Sequence, residues 1–444
     1  MTPVDGEPAQ PGIGRATAGQ ITRRTLIERT GLGVGGLMFG NLLGGCGGGN
    51  SSSGETLKLG FVSPRTGPAA AFAEVDPYVI GLARRALANG LEIGGTRYSV
   101  EIHDRDGQSN PARGAEVAQE LINGDRIDLM LATSTPETTV PVSDACEAAG
   151  IPCISTATPW EAWYFGRGAK PGEPSPFRFT HHFSFGVAEF AKTYTAMWRD
   201  IPTNRKVGVM WPNDADGNAI RRSLGPMLEA AGYRIVDPGA YQNGTNDYSS
   251  QIALFKREKC EIFNTFPLPP DFATFWRQAS QQGYRPKIAQ IAKTAVFPSQ
   301  VEALGPLGIN LAGALNWTPT FPYKSSLTGV SSKGLGSGYE QNSGRQWSQQ
   351  LGPSLALFDV GVAALRASAN PKDKQAVVTA MKTLRVETPV GDLDWAKGPV
   401  GNVITGPMMG GQWVQADDSS VQFVLCDNSV DPRVPKEAML KPYA

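Results

Sequence analysis

Histidine is scarce in this sequence of 444 residues, which contains three: His103, His181 and His182. Beyond residue 45 the chain also lacks the HExxH, GxSxG and GxxxxGKS/T motifs that are typical of metalloproteases, α/β-hydrolases and P-loop nucleotide hydrolases. The sequence therefore indicates no catalytic centre of these kinds, and we expect neither a metal ion nor a cofactor. We interpret the adjacent His181 and His182 as a polar crossover segment rather than as metal ligands.

A net charge of either sign is also absent, because 41 Lys and Arg residues balance 41 Asp and Glu residues. With no basic excess and no Lys/Arg stripe, nucleic acid is not an expected partner. Hydrophobic residues make up 41% of the chain, which is enough to bury a large core. Because single cores seldom grow beyond about 250 to 300 residues, we expect two lobes.

The N-terminal segment has no apolar run long enough to span a bilayer. Its Gly31–Gly45 run has 15 residues, whereas a membrane helix needs about 20. Thr22–Ile27 resembles a twin-arginine export signal, and the residues up to Cys46 resemble the lipobox of bacterial lipoproteins. The resemblance implies a signal over residues 1–45, a lipid anchor on Cys46 and a flexible tether over residues 46–55. We expect an exported protein that is anchored to the outer face of the bacterial cell membrane or is periplasmic.

Cysteine is rare beyond the signal, where Cys146, Cys153, Cys260 and Cys426 follow Cys46. Outside the cytoplasm these four could form up to two disulfides, with three possible pairings. Cys146 and Cys153 are close in sequence, and whether they pair is left open. They lack CxxC spacing, which argues against a metal site.

Strand and helix patterns alternate along the rest of the chain. Strands are predicted at Thr56–Ser63, Tyr98–Asp104, Ile127–Ala132 and Ile151–Ile154, with helical patterns between them. This βαβαβαβ order is typical of a parallel sheet flanked by helices.

A second series of the same kind begins at Phe177 and continues to Ile291. We therefore predict an α/β fold with two similar lobes, each a parallel sheet flanked by helices, joined by a multi-strand hinge. Helices that follow the second series indicate that the chain returns to pack on the first lobe. The predicted N-terminal lobe comprises residues 56–176 and 318–388, and the C-terminal lobe comprises residues 177–317 and 389–444.

Two loops of the first series are rich in hydroxyl groups. Thr133–Thr139 follows one predicted strand and Ser155–Trp160 follows the next. Because the carboxyl ends of parallel strands meet at one edge of a sheet, both loops should face one crevice. Their hydroxyls and free backbone N–H groups could hold a small polar molecule without covalent chemistry. Helix capping is the alternative role for these Ser and Thr residues.

Several segments, taken in order, resemble the Leu/Ile/Val-type substrate-binding proteins of ABC importers, the branched-chain amino acid family. They are Leu59–Gly67, Asn89–Gly90 with Gly94–Gly95, Asp104 before Pro111, Gly150–Ser155, Phe177–Phe179, Gly391–Trp395 and Gln412–Trp413. The resemblance covers nearly all of the chain beyond the signal. It implies the type I periplasmic-binding-protein fold, in which two lobes close on a ligand in the cleft between them.

The resemblance also implies which residues bind the ligand. Hydroxyls and backbone N–H groups of the first lobe would hold a carboxylate: Ser134, Thr135, Thr156, Ala157 and Thr158. Residues of the second lobe would close over it: Asp216, Phe266 and Lys293. Trp160 and Trp317 follow predicted strand ends and are candidates for a cleft wall, with burial in a core as the alternative.

The ligand class is predicted from Lys293 and Asp216. The resemblance implies an acidic residue near position 293 and a tyrosine near position 216, and this chain has neither. A lysine that faces the cleft would favour a carboxylate through a charge-assisted hydrogen bond and would repel an ammonium. We therefore expect an acidic or amide group on an apolar or aromatic body, although Asp216 could hold an ammonium and keeps amino acids possible. A solvent-facing Lys293 is the alternative.

Three functions remain at this point. The leading hypothesis is a monomeric, lipid-anchored binding protein, not an enzyme, that delivers a small organic solute to an ABC permease. The second is a sensor module of the same fold that signals to a membrane partner. An oxidoreductase is third, and the absence of a dinucleotide fingerprint beyond the signal argues against it.

Overall fold

The computed structural model describes residues 55–417 and 420–444. The predicted signal, Cys46 and nearly all of the predicted tether lie outside the described residues. Within the described part of the chain, no helix has the length and apolar character needed to cross a membrane.

The described chain folds into sixteen strands and twelve α-helices, joined by loops and short single-turn helical segments. The strands are β1 (Thr56–Ser63), β2 (Leu91–Ile93), β3 (Thr96–Asp106), β4 (Leu129–Thr133), β5 (Cys153–Thr156), β6 (Thr180–Ser184), β7 (Lys206–Met210), β8 (Arg234–Val236), β9 (Ile262–Thr265), β10 (Ile288–Ile291), β11 (Ala312–Leu315), β12 (Arg385–Thr388), β13 (Gly391–Asp394), β14 (Val403–Thr405), β15 (Met409–Gln415) and β16 (Val421–Asp427). The helices are α1 (Asp76–Ala86), α2 (Pro111–Gln119), α3 (Pro136–Ala149), α4 (Trp160–Gly166), α5 (Val187–Trp198), α6 (Ala215–Ala230), α7 (Ser249–Glu258), α8 (Pro269–Gln281), α9 (Pro298–Glu302), α10 (Ser332–Ser343), α11 (Leu351–Ala367) and α12 (Lys374–Met381).

Two seven-stranded sheets organise the fold. The first has the order β14-β6-β5-β4-β1-β3-β2 and is parallel except at β2. The second has the order β16-β15-β11-β10-β9-β7-β8, with β15 and β16 antiparallel at one edge. Strands β4 and β5 are buried along their whole length, as expected where helices cover both faces of a parallel sheet. The predicted α/β class with two similar lobes is confirmed.

The chain passes between the two sheets three times. It leaves the first sheet after β6, returns to it after β11, and leaves it again after β14. The predicted limits at residues 176 and 388 assign β6 and β14 to the C-terminal lobe, whereas these two strands are hydrogen-bonded to each other in the first sheet. A strand belongs to the sheet whose backbone it pairs with, and neither strand's sequence pattern specifies that partner. We propose lobe limits at these three passages.

Helix α11 belongs to the segment that returns from the second sheet, and it packs on the first sheet. Fourteen of its residues are buried, and it packs against β4, β5, α1 and β12. A helix that is apolar on nearly every side is stable only when other elements enclose it. Phe358 of α11 stacks on Phe61 of β1 with ring centroids 5.5 Å apart, which ties this late helix to the first strand.

The four cysteines of the described residues are free thiols, and all are buried. Cys146 and Cys153 lie in one apolar cluster behind β4 and β5. Burial is the main cause that raises the pKa of the Cys146 thiol well above its usual value, so this thiol stays protonated and unreactive at neutral pH.

Candidate functional site

The loop after β4 holds an unusual backbone conformation. Ser134 and Thr135 have φ angles of 68° and 65°, which non-glycine residues seldom adopt. Proline at position 136 then starts α3, where its missing N–H is not needed. The Ser134 hydroxyl contacts the Thr133 hydroxyl at 2.9 Å and donates to Gln350 Oε1 at 3.4 Å. The loop is therefore tied to the segment through which the chain returns from the second lobe.

The loop after β5 is held against the first one. Ala157 has a φ of 59°, and the Thr158 hydroxyl lies 3.1 Å from the hydroxyl of Thr139 on α3. Thr139 also donates to the carbonyl of Thr135 at 3.0 Å. The two loops, which the sequence predicted to face one crevice, are thus joined by direct hydrogen bonds.

His182 fixes the second loop from behind. Its Nε2 donates to the Thr158 carbonyl at 2.9 Å, and its Nδ1 lies 2.8 Å from the Ser155 hydroxyl. Burial lowers the pKa of His182 to about 3, so the ring is neutral. A neutral ring that donates from Nε2 must accept at Nδ1, which makes Ser155 the donor. The ring stacks on Trp163 with centroids 5.0 Å apart, so its orientation is fixed on every side.

Charged groups lie on the second-lobe side. Asp216 is in the first turn of α6, and Lys293 follows β10 with a φ of 54°. Lys293 Nζ is 2.5 Å from Asp216 Oδ2 and 3.9 Å from Asp214 Oδ2. Lys293 therefore does not point to solvent, since its side chain is 9% exposed.

The charge state of Lys293 follows from its neighbours. Burial lowers its pKa, but Asp216, Asp214 and Glu137 together outweigh burial and raise the pKa above the usual value. The ammonium therefore stays protonated at neutral pH. Burial raises the pKa of Asp216 to about 7 although Lys293 opposes that rise, so Asp216 is ionised and forms a full ion pair with Lys293 above pH 7. Glu137 belongs to the first turn of α3, so the first lobe adds negative potential to this part of the second lobe.

These elements enclose a small cavity between the sheets, with about 30 Å³ open to water-sized molecules. Five of the predicted site residues line it: Thr135, Ala157, Asp216, Phe266 and Lys293. Because drug-sized ligands occupy pockets of about 300 to 1,000 Å³, the cavity must widen to admit an organic solute. Its walls come from both lobes and from the connecting segments.

The other predicted site residues lie outside the lining. Ser134, Thr156 and Thr158 are completely buried behind it, where they join the hydrogen-bonded loops or end a strand. Trp160 begins α4 and contacts Tyr164 and Phe165. Trp317 is buried in the core, where its indole donates to Ser332 at 3.1 Å.

Several lining residues were not predicted from the sequence: Phe72, Phe185, Phe190, Gln349, Gln350 and Met408. Phe185 and Met408 lie at two of the passages between the sheets, after β6 and after β14. Gln349 and Gln350 immediately precede α11, and a polar pair before a largely apolar helix is a signal that could have identified them.

A family model described as "periplasmic binding protein" matches residues 56–418. No curated protein matches the sequence. Among solved structures, a leucine-binding protein of Thermotoga maritima is 16% identical, with a TM-score of 0.68 over 85% of this chain and 100% of that one. A solute-binding protein of an ABC transporter from Rhodopseudomonas palustris, in complex with 3,4-dihydroxybenzoic acid, is 17% identical, with a TM-score of 0.68 over 85% and 99%. A branched-chain amino acid transporter substrate-binding protein of Streptococcus pneumoniae, in complex with isoleucine, is 15% identical, with a TM-score of 0.65 over 84% and 100%.

Proposed function

Because this chain belongs to the periplasmic binding protein family, we propose that it captures a small organic solute between its lobes and delivers it to an ABC permease. The family is one of solute-binding proteins rather than enzymes, and the type I fold implied by the sequence resemblance is confirmed. The proposal concerns what this chain binds and which partner receives the solute.

One observation carries the proposal: polar groups from both lobes converge on a buried cavity at the ends of parallel strands. Thr135 and Ala157 follow β4 and β5, while Lys293 follows β10. Ligands of open α/β sheets bind outside the carboxyl ends of strands. A solute in this position contacts both lobes at once, so binding favours the closed arrangement.

Calorimetry and thermal unfolding test the proposal with amino acids, amides, short carboxylates and aromatic acids, including isoleucine and 3,4-dihydroxybenzoate. A solute at 100 times its dissociation constant should stabilise the protein by about 2.7 kcal/mol. Ala314→Leu adds bulk to the cavity wall and should abolish that shift. Ala148→Leu, at an exposed position of α3, is the matched control and should retain it. A solute that shifts both variants equally would place binding outside the cavity.

We further propose that Cys46 carries a lipid anchor, supported by the order of arginine pair, apolar run and cysteine in residues 1–46. Cys46→Ala should move the protein from the membrane fraction to the soluble fraction without altering solute affinity. Membrane association that the substitution leaves unchanged would contradict the anchor. A monomer in solution, checked by light scattering, is expected for Cys46→Ala.

A further inference from the structure

The ion pair in the cavity leaves one carboxylate oxygen without a partner. Asp216 Oδ2 faces Lys293 Nζ at 2.5 Å, while Oδ1 is buried and accepts no hydrogen bond from any described residue. Asp216 is 1% exposed, so bulk water does not supply the missing donor. A buried charged oxygen without a donor lowers stability, and such a group in a lining position indicates that a ligand supplies the partner.

The first lobe presents a second unpartnered oxygen to the same cavity. Thr135 Oγ1 is buried and has no hydrogen-bond partner among the described residues, although the neighbouring Ser134 and Thr139 hydroxyls are bonded. The two oxygens belong to residues of different lobes that line one cavity. A single ligand group with more than one N–H can reach acceptors on both sides.

The balance of charge disfavours an anion at this end of the cavity. Lys293 is the one cationic side chain among the described residues that line it, and Asp216 already pairs with that lysine. Asp214 and Glu137 add two further carboxylates to the surroundings of the ammonium. Lys293 Nζ is itself buried and makes no hydrogen bond to the described residues beyond this ion pair, so it keeps donors for an incoming carboxylate, but three negative charges would repel that carboxylate. An incoming cation meets the excess negative charge.

Aromatic rings form the adjoining wall. The rings of Phe185 and Phe190 have centroids 5.2 Å apart, and those of Phe190 and Phe266 have centroids 5.0 Å apart, both in edge-to-face contact. Ring faces attract cations, and ring surfaces bury apolar groups. This wall therefore suits an apolar body that carries a protonated nitrogen.

We propose that Asp216 determines specificity by accepting hydrogen bonds from a protonated nitrogen of the solute through Oδ1. The ligand class is a small amine with an apolar or aromatic body, and a carboxylate on that ligand is not required. This inference rests on the proposed function of the same cavity. It reverses the expectation from sequence, in which Lys293 selects an acidic group.

Two matched sets of probes test the proposal by calorimetry on the intact protein. One set is isoleucine, 2-methylbutylamine and 3-methylpentanoate, which share one side chain and differ in carrying both charges, the amine alone or the acid alone. The other set is phenylalanine, phenethylamine and 3-phenylpropanoate. In at least one set, the members with nitrogen should bind at least tenfold more tightly than the acid. Acids that bind as tightly as the amines, or more tightly, would overturn the proposal.

Variants of Asp216 give a second readout. Asp216→Asn should weaken binding of the nitrogen-bearing probes at least tenfold and should leave the weak binding of the acids unchanged or improved. Asp237→Asn is the matched control, because Asp237 pairs with Arg221 away from the cavity. It should change neither the affinity for the nitrogen-bearing probes nor the affinity for the acids. If Asp216→Asn does not fold, the comparison of probes on the unaltered protein still decides the question.

The outcomes separate this inference from the proposed function. Binding of acids alone, lost in Ala314→Leu, would overturn the role of Asp216 and leave solute capture intact. If neither these probes nor any solute of the wider panel shifts thermal unfolding, both proposals fail. Loss of affinity in Asp216→Asn that is equal for amines and acids would show that Asp216 supports the fold rather than selecting the ligand.

Discussion

The two halves of the cavity have the same architecture and opposite chemistry. Each is made of loops at the carboxyl ends of parallel strands, yet the first-lobe half consists of uncharged hydroxyls that bond to one another and of a backbone carbonyl, that of Thr158, to which His182 donates. The second-lobe half consists of a buried ion pair beside aromatic rings. A neutral network fixes the shape of one wall, whereas charges on the other wall distinguish one solute from another. Repeating a fold within one chain thus does not repeat its chemistry.

The largest expected effect concerns the charged half. Lys293→Met removes the counter-ion of Asp216 and leaves a buried carboxylate uncompensated, which should lower the free energy of unfolding by about 3 to 5 kcal/mol at pH 8. Urea denaturation measures the loss. Adding Asp216→Asn to Lys293→Met should recover most of it, since the unpaired charge is then gone.

The matched control for that substitution is Lys287→Met. Lys287 pairs with Glu261 at 3.0 Å, but its side chain is 44% exposed, so its loss should cost about 0 to 1 kcal/mol. Equal losses in Lys293→Met and Lys287→Met would show that the ion pair in the cavity is no more important than one at the surface.

An intermediate effect concerns the neutral half and depends on pH. Burial lowers the pKa of His182 from 6.5 to about 3. A lowered folded-state pKa contributes stability that is present above pH 6.5 and is lost progressively as pH falls towards 3. Between pH 7 and pH 5 this residue alone should cost about 2 kcal/mol, because each pH unit below the unfolded pKa costs about 1.4 kcal/mol.

Other buried groups change the total slope, so the contribution of His182 is measured as a difference. Burial lowers the pKa of His181 to about 3, which adds a loss of the same sign. Burial raises the pKa of Asp76, Glu161, Asp216 and Asp359 to about 7, so protonation of these carboxyls stabilises the folded protein as pH falls from 7. His182→Asn should therefore reduce the loss between pH 7 and pH 5 by about 2 kcal/mol relative to the unaltered protein. Identical slopes would mean that His182 titrates normally in the folded state.

The smallest expected effect tests whether the first-lobe hydroxyls act as a network. Thr139→Val breaks the hydrogen bonds to Thr158 and to the Thr135 carbonyl and should cost about 1 kcal/mol. Thr138→Val is a close control, because the neighbouring Thr138 hydroxyl is buried without a partner among the described residues. Thr138→Val should leave the free energy of unfolding unchanged or raise it. A decrease equal to that caused by Thr139→Val would show that the hydroxyls do not act as a network.

The first-lobe half could be predicted closely from the sequence. Thr133–Thr139 and Ser155–Trp160 each follow an apolar strand, and the geometry of a parallel sheet alone brings them together. Which hydroxyls line the cavity and which lie behind it could not be predicted, because that depends on the positive φ angles of Ser134, Thr135 and Ala157. Nothing in a run of Ser and Thr specifies that conformation.

The second-lobe half shows where sequence reasoning fails. Asp216 and Lys293 are both predicted site residues, but their contact at 2.5 Å joins the first turn of α6 to the segment after β10, and no spacing rule relates the two positions. Without knowledge of that contact, the sequence predicts a lysine that is free to bind an anion. For Trp317 the sequence left a cleft wall and a core as alternatives, since a tryptophan after a strand can turn to either side, and in the structure its indole donates to Ser332 in the core.

The three passages of the chain between the sheets also determine when each sheet can be completed during synthesis of the protein. Strand β14 pairs with β6, which was made about 220 residues earlier. At about 5 to 20 residues per second, the edge of the first sheet and the apolar surface that α11 covers stay open for roughly 10 to 45 seconds. The five parallel strands of the second sheet, β7 to β11, are synthesised before β14, although its antiparallel strands β15 and β16 are synthesised after β14. The unfinished chain thus exposes an unpaired strand edge, and a newly made molecule is most vulnerable to aggregation before its last quarter emerges.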